Sequence, residues 1–305
     1  MSVVSANLVK DLREKTGAGM MDCKKALTET NGDLEAAIDW LRKKGIASAA
    51  KKSGRVAAEG KVVVAARGNH GLLLEVNSET DFAAKNEKFL EFANMAVEIG
   101  LDARINSVEL LSGLPYPRSN GRSVGEELTV LISSIGENMN LRRVLRLEVG
   151  QGAVVGYLHM GGKIGTLVAL ESTASDQEAL RELGKKIAMH VAASTPLYLN
   201  RDQVPESDLE RERSVLADQA RASGKPENII DKMVQGRLSK FYADTCLVEQ
   251  AFIMDPEQSV QAIVDASAKS LGAPIRVTGF ARFMMGEGLQ KREEDFAAEV
   301  AKQIG

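Results

Sequence analysis

The sequence predicts an α+β protein assembled from small modules, and three observations carry that prediction. The first 45 residues show helical patterns only, after which strand and helix patterns mix. A unit of strand, turn, strand, corner and helix then occurs twice. Adding 94 to the numbering carries Gly68, Gly71, Leu73, Ser78 and Val97 onto Gly162, Gly165, Leu167, Ser172 and Val191. Beyond the second copy lies a polar stretch of helical spacing with one central break, the mark of an inserted helical hairpin. A period of 94 is too long for a solenoid. It implies two related α+β subdomains with antiparallel sheets.

The elements follow in order. Residues 1–55 read as a three-helix module and linker. Ser5 caps a helix carrying Leu8, Val9 and Leu12 that stops at Thr16-Gly17; Met20 to Thr28 supplies a second, ending near Asn31-Gly32. Asp33 caps a third, with Arg42-Lys43-Lys44 against its C-terminus and Gly45 closing it, before an Ala47 to Arg55 linker. Residues 56–150 form the first subdomain. Lys61 to Ala66 and His70 to Val76 make a hairpin around Arg67-Gly68-Asn69, followed by a corner at Asn77 to Phe82 and a helix to about Ile99. Leu111 to Gly125, rich in Pro, Gly and Ser, reads as a surface loop, and Glu126 to Ile135 as a helix halted at Gly136.

The second subdomain takes residues 151–200 and 243–285. Its strands are Val155 to Met160 and Ile164 to Leu170, its helix passes through Ile187 to Ala192, and Gln250 to Met254 and Ile275 to Met285 return as strands. The inserted hairpin spans 201–242, with Leu209, Val215, Leu216 and Ala220 facing Ile229, Met233 and Leu238. Residues 286–305 close the chain as a helical module, Leu289 to Ile304 carrying Phe296 and Val300 inward.

Composition narrows the function classes. A length of 305 residues allows several cores. A net charge of -3 and a pI near 5.8 argue against a general nucleic-acid or anionic-membrane binder. Aromatics at 4% argue against stacking platforms for single strands. Cys23 and Cys246 form no C-x-x-C and are too few for a disulfide framework, and Met1 to Lys15 has no apolar leader core. No apolar run reaches the length of a membrane span. The expectation is a soluble cytoplasmic protein without direct nucleic-acid or membrane partners.

Catalytic motifs fail one by one. Gly121-Arg122-Ser123-Val124-Gly125 has the letters of a nucleophile elbow, with Asp176 and His190 following. Leu114-Pro115-Tyr116-Pro117 before it cannot be the central strand that strains such a serine. His70, His159 and His190 lack metal-ligand spacing, and no phosphate-binding glycine loop opens a helix after a strand. No catalytic residue, metal site or cofactor is expected. What remains is the corner Thr80-Asp81-Phe82-Ala83, an acid and an aromatic on an exposed bend. The plain alternative has Ser78 or Asp81 capping the next helix and Phe82 stapled back onto it. The second copy is an internal control, since it holds Ser175-Asp176 at the corresponding place.

Leu12 to Leu27, Glu75 to Phe82, Ile187 to Ser194, Gly224-Lys225-Pro226, and Gly279 to Phe283 with Gly286-Glu287-Gly288 together resemble the bacterial translation elongation factor Ts family. The resemblance implies a guanine-nucleotide exchange factor for elongation factor Tu, not an enzyme. It implies an N-terminal module like the ubiquitin-associated fold, docking on the GTPase through Arg13, Met20 and Met21, and a tip of Asp81 and Phe82 inserted near the Mg²⁺ site. Ile135-Gly136 would lie beside the nucleotide-binding face, His159 on another domain of the GTPase, and the hairpin would serve dimer formation in some members. Two departures stand out: Ala83 follows Phe82 where the family has Val, and the Leu114 to Val124 loop is longer. A non-catalytic scaffold is the alternative reading.

Overall fold

The computed structural model describes residues 4–117, 119, 121–222, 224 and 226–290. The described residues fall into two compact units, one drawn from 4–63, 74–144 and 284–290, the other from 64–73 and 145–283. Each combines helices with sheet strands, an α+β architecture.

In the first unit, α1 (Ala6–Thr16), α2 (Met20–Glu29) and α3 (Leu34–Lys52) enclose Leu12, Cys23, Ala26, Leu27 and Ala37. Ser5 caps α1, left-handed Gly17 ends it, and the Asp33 carboxylate caps α3 through Ala36 N–H at 3.0 Å. Gly45 does not close α3, contrary to expectation. Alanine and lysine are strong helix formers, so Ala47 to Lys52 continue the helix instead of forming a linker. Gly45 serves packing: a Cβ there would lie 3.9 Å from Ser133 and 4.0 Å from Thr129 on α7 (Val124–Ile135).

A three-stranded sheet of order β1 (Glu59–Arg67), β2 (His70–Ser78) and β3 (Met139–Glu148) follows, with α4 (Asp81–Ala84), α5 (Glu87–Asp102), α6 (Val108–Gly113) and α7 between β2 and β3. Central β2 buries Leu72, Leu73, Leu74 and Val76, while α5 buries Phe89, Phe92, Ala93, Ala96 and Val97. The stretch expected as a surface loop is partly core. Leu111 on α6 is buried, Pro115 bridges Ser123, and Tyr116 stacks on Phe92 at 5.8 Å. Burial, with Glu127 and Glu91 nearby, pushes the Tyr116 hydroxyl up to about 12.

Strand β3 is not among the expected elements, because Arg142-Arg143 interrupt its apolar pattern. Both arginines are drawn inward by Glu75, which is fully buried on β2. Its carboxylate accepts from Arg142 Nη1 at 3.0 Å, Arg143 Nε at 2.6 Å, Asn77 Nδ2 at 3.1 Å and Gly286 N–H at 2.8 Å. Burial alone would raise its pKa; the Gly286, Arg142, Arg143 and Asn77 donors outweigh burial and hold it below the usual carboxylate range. Arg143 also donates to Met284 O and Glu287. Leu289 and Gln290 are not helical. The rest of the expected Leu289 to Ile304 helix, with Phe296 and Val300, lies outside the described residues.

The second unit contains β4 (Gly152–His159), β5 (Ile164–Ser172), α8 (Gln177–Ser194), α9 (Glu206–Ala222), α10 (Glu227–Thr245), β6 (Ala251–Phe252), β7 (Asp255–Ser259), α11 (Val260–Leu271) and β8 (Ile275–Met284). Its main sheet has the order β4-β5-β8, β4 and β5 pairing antiparallel from Gly152 opposite Glu171 to His159 opposite Ile164. The core gathers Val168, Leu170, Leu180, Ile187, Val191 and Phe252. Helix α11 was not expected, although Ser259 caps it, Val260 and Val264 face inward, and Gly272 ends it. In the α9–α10 hairpin Leu209, Leu216, Ala220 and Leu238 are buried as expected, whereas Ile229 and Val215 are exposed and Ile230 takes the inward place expected of Ile229.

The repeat survives in detail. Strands β2 and β5 are offset by 94 residues, and each is crossed tightly by a glycine of the strand before it. At Gly60 (φ +138°) a Cβ would fall 2.1 Å from Val76 O; at Gly152 (φ +132°) it would fall 2.0 Å from Leu170 O. Only glycine fits either crossing. Among the described residues no helix is long and apolar enough to cross a membrane.

Candidate functional site

The corner after β2 begins from buried ground. Ser78, fully buried, donates its hydroxyl to Thr80 O at 2.9 Å. Thr80 is extended, and its hydroxyl accepts from Ala83 N–H at 3.2 Å. Thr80 is therefore the cap of α4, not Ser78 or Asp81. Four helical residues divide between two faces at about 100° per residue. Ala83 and Ala84 are buried, while Asp81 and Phe82 are exposed. Ala83, placed by the sequence reading among the contact residues of the tip, instead packs beneath it. Phe82 is 79% exposed, the most exposed large apolar side chain among the described residues, so it is not stapled to its own helix. The Asp81 carboxylate accepts from Lys85 Nζ at 2.7 Å, a hydrogen bond that holds its pKa below the usual value. The same ammonium stands 5.9 Å from the Phe82 ring centroid.

The base of this tip is clasped by the segment that follows α7. The Glu137 carboxylate accepts from Thr80 N–H at 3.0 Å with one oxygen and from the Thr80 hydroxyl at 2.7 Å with the other. In the opposite direction, Glu79 accepts from Asn138 N–H and pairs with Arg55 at 3.4 Å. Asn138 Nδ2 donates to Arg55 O at 2.7 Å. None of Arg55, Glu79, Glu137 and Asn138 was singled out from sequence. They meet across as many as 83 residues, beyond the reach of any local pattern; the only signal was polar residues directly after the capping Gly136.

The clasp ties the base of the tip to the residues directly after Ile135 and Gly136. Gly136 is exposed and left-handed at φ +89°, ending α7 through its N–H to Ile132 O at 2.9 Å. Arg13 is exposed on α1, and Met20 and Met21, 58% and 75% exposed, open α2. His159 belongs to the second unit, exposed at the end of β4 between exposed Leu158 and Met160, its Nδ1 3.0 Å from the Tyr157 hydroxyl. At the second copy's corner Asp176 caps α8 through Ala179 N–H at 3.0 Å, and Ser175 is exposed with no aromatic beside it.

The residues of the discarded catalytic motif have other tasks. Ser123 accepts from Glu126 N–H at 3.2 Å while Glu126 accepts from Ser123 N–H at 3.0 Å, a capping box at the start of α7. His190 is buried. Ile253 N–H donates to its Nδ1 at 3.2 Å, so Nε2 carries the proton and donates to Gln250 Oε1 at 2.9 Å; burial lowers its pKa and keeps it neutral. Among the described residues no three His, Cys, Asp or Glu side chains are grouped to hold a metal.

Residues 79–287 match the family model described as Elongation factor TS. Elongation factor Ts of Magnetococcus marinus is 63% identical over 301 residues, covering 99% of each chain. The protein of that name from Rhodospirillum centenum is 57% identical over 310 residues with full coverage of both chains, and that from Rhizobium etli 52% over 309 residues, covering 100% of this chain and 99% of its own. Identity at this level, sustained along the whole sequence, shows that the chain belongs to the elongation factor Ts family.

Proposed function

We propose that the protein is a guanine-nucleotide exchange factor for the translational GTPase elongation factor Tu, working in the cytoplasm. It binds the GDP form, presses Asp81 and Phe82 toward the Mg²⁺ and phosphate site, and promotes GDP release so that GTP can bind. Family membership supports the general activity. The observation that carries the finer reading is the exposure of Phe82, an apolar ring on a corner tied down at its base.

Mg²⁺ bridges the nucleotide phosphates and oxygens of the GTPase, so disturbing its ligands loosens GDP without making or breaking a bond. The protein needs no cofactor for this. Asp81 comes with Lys85 as its partner and exchanges that solvent-exposed pairing for donors of the GTPase, while the ring spreads side chains. Burying one Phe supplies about 1.5–3 kcal/mol. Inverting a 1:99 equilibrium takes about 5.5 kcal/mol of differential binding. The difference falls to the other surfaces: Arg13, Met20 and Met21 on the docking module, Ile135 and Gly136 beside the tip, and His159 on the second unit. Linkage is reciprocal, so GDP weakens the complex by the factor by which the complex weakens GDP. Self-association is assigned to the α9–α10 hairpin, where Val215 and Ile229 are exposed.

The test is mixing with elongation factor Tu carrying fluorescent GDP. Release accelerates with concentration of this protein, and a one-to-one complex forms that GDP with Mg²⁺ takes apart. A scaffold would give a complex indifferent to GDP, and no acceleration at any concentration would end the exchange reading.

A further inference from the structure

The clasp under the tip is more than a loop tie. A carboxylate that takes both donors of a single residue fixes that residue in position and orientation at once. Glu137 does this to Thr80, and Thr80 lies two residues before Phe82 and caps its helix. The Thr80 hydroxyl is used in both directions, donating to Glu137 and accepting from Ala83 N–H. Glu137 itself directly follows Gly136, so the same bonds fix the spacing between the tip and the end of α7. Glu79 and Asn138 repeat the connection in the opposite sense, which opposes twisting.

We infer that Glu137 is a positioning residue for exchange: it joins the Asp81-Phe82 tip and Ile135-Gly136 into one preformed wedge that meets the GTPase without further ordering. This rests on the exchange reading above. A wedge that is already ordered spends none of its contact energy on fixing loops when it binds. Without the clasp, the remote surfaces still form the complex while the tip arrives in many orientations. The loss then falls on the rate of release within the complex, not on its formation.

The experiment compares parent, Glu137→Ala, Glu137→Gln, Thr80→Val and the Thr80→Val/Glu137→Ala double variant in fluorescent-GDP release from elongation factor Tu, each over a range of concentrations. Glu137→Ala lowers the maximal release rate about ten-fold and leaves the half-saturating concentration within about two-fold. Glu137→Gln, which keeps one acceptor oxygen, recovers part of the rate. The double variant is little slower than Glu137→Ala alone, because the two residues act as one unit. Parental rates for Glu137→Ala, fully multiplicative effects in the double variant, or rate and half-saturation failing together with a lowered melting temperature overturn the proposal. If Glu137→Ala does not fold, Glu137→Gln and Thr80→Val carry the same comparison, and parental rates for both are equally fatal. A parent protein that accelerates nothing instead removes the exchange reading, a result distinct from a fast parent with fast variants.

Discussion

Phe82→Ala separates folding from function because so little of its ring touches its own molecule. At 79% exposure there is almost no buried surface to lose, so the stability change stays within about 0.5 kcal/mol. Phe89, in the first turn of α5, is the contrast: fully buried, its truncation costs about 3–5 kcal/mol. On the exchange proposal, the surface that Phe82 withholds from its own core is what the GTPase gains. Burial of a Phe side chain contributes about 1.5–3 kcal/mol, and loss of that amount from the transition state for release slows it about 10- to 150-fold. Stopped-flow release of labelled GDP at saturating factor gives the rate, and a thermal melt of the free protein gives the stability. Equal release rates for variant and parent refute the wedge. A melting point several degrees lower would refute the other half of the reasoning, because a ring that supports its own fold is not free to enter another.

Three further outcomes follow from the same structure. Ser175→Ala and Asp176→Ala leave exchange at the parental rate, although Asp176→Ala loses about 1 kcal/mol of stability by uncapping α8, measurable by denaturant titration; a slow Asp176→Ala would mean that both corners act. Glu75→Gln costs about 3 kcal/mol at neutral pH by removing the buried charge on which Arg142 and Arg143 converge, although Arg143 keeps its pairing with Glu287. Because the folded pKa of Glu75 is depressed, the parent's advantage holds down to the ordinary value near 4.5 and shrinks as pH falls through the lowered one, so an advantage that grows on acidification contradicts the network. Gly60→Ala forces the β1–β2 crossing open and lowers the melting temperature by several degrees, whereas Gly54→Ala, with open space around it, does not.

Sequence disclosed what local physics governs. Caps at Ser5 and Asp33, the hairpin around Gly68-Asn69, the stripe on α5 and the stop at Gly136 are written in neighbouring residues. The misreadings share a cause in packing at a distance. Gly45 looked like a terminator because nothing nearby in sequence reveals Ser133 and Thr129. Strand β3 was hidden because Arg142-Arg143 make sense only once Glu75 is known to be buried opposite. The tip was legible from its odd composition and from a second copy lacking it. Its clasp was not, since a contact between Thr80 and Glu137 leaves no periodic trace.

The uninterrupted run of α3 has a mechanical consequence. Nineteen helical residues make a rod about 28 Å long, and the methionine-bearing helix α2 packs on that rod, not on a pliant tether. A coil of the same number of residues would let Met20 and Met21 wander through a large volume and dilute their encounter with any partner held elsewhere by the same chain. A rod confines them to a narrow arc, raising their effective concentration at one place and lowering it everywhere else.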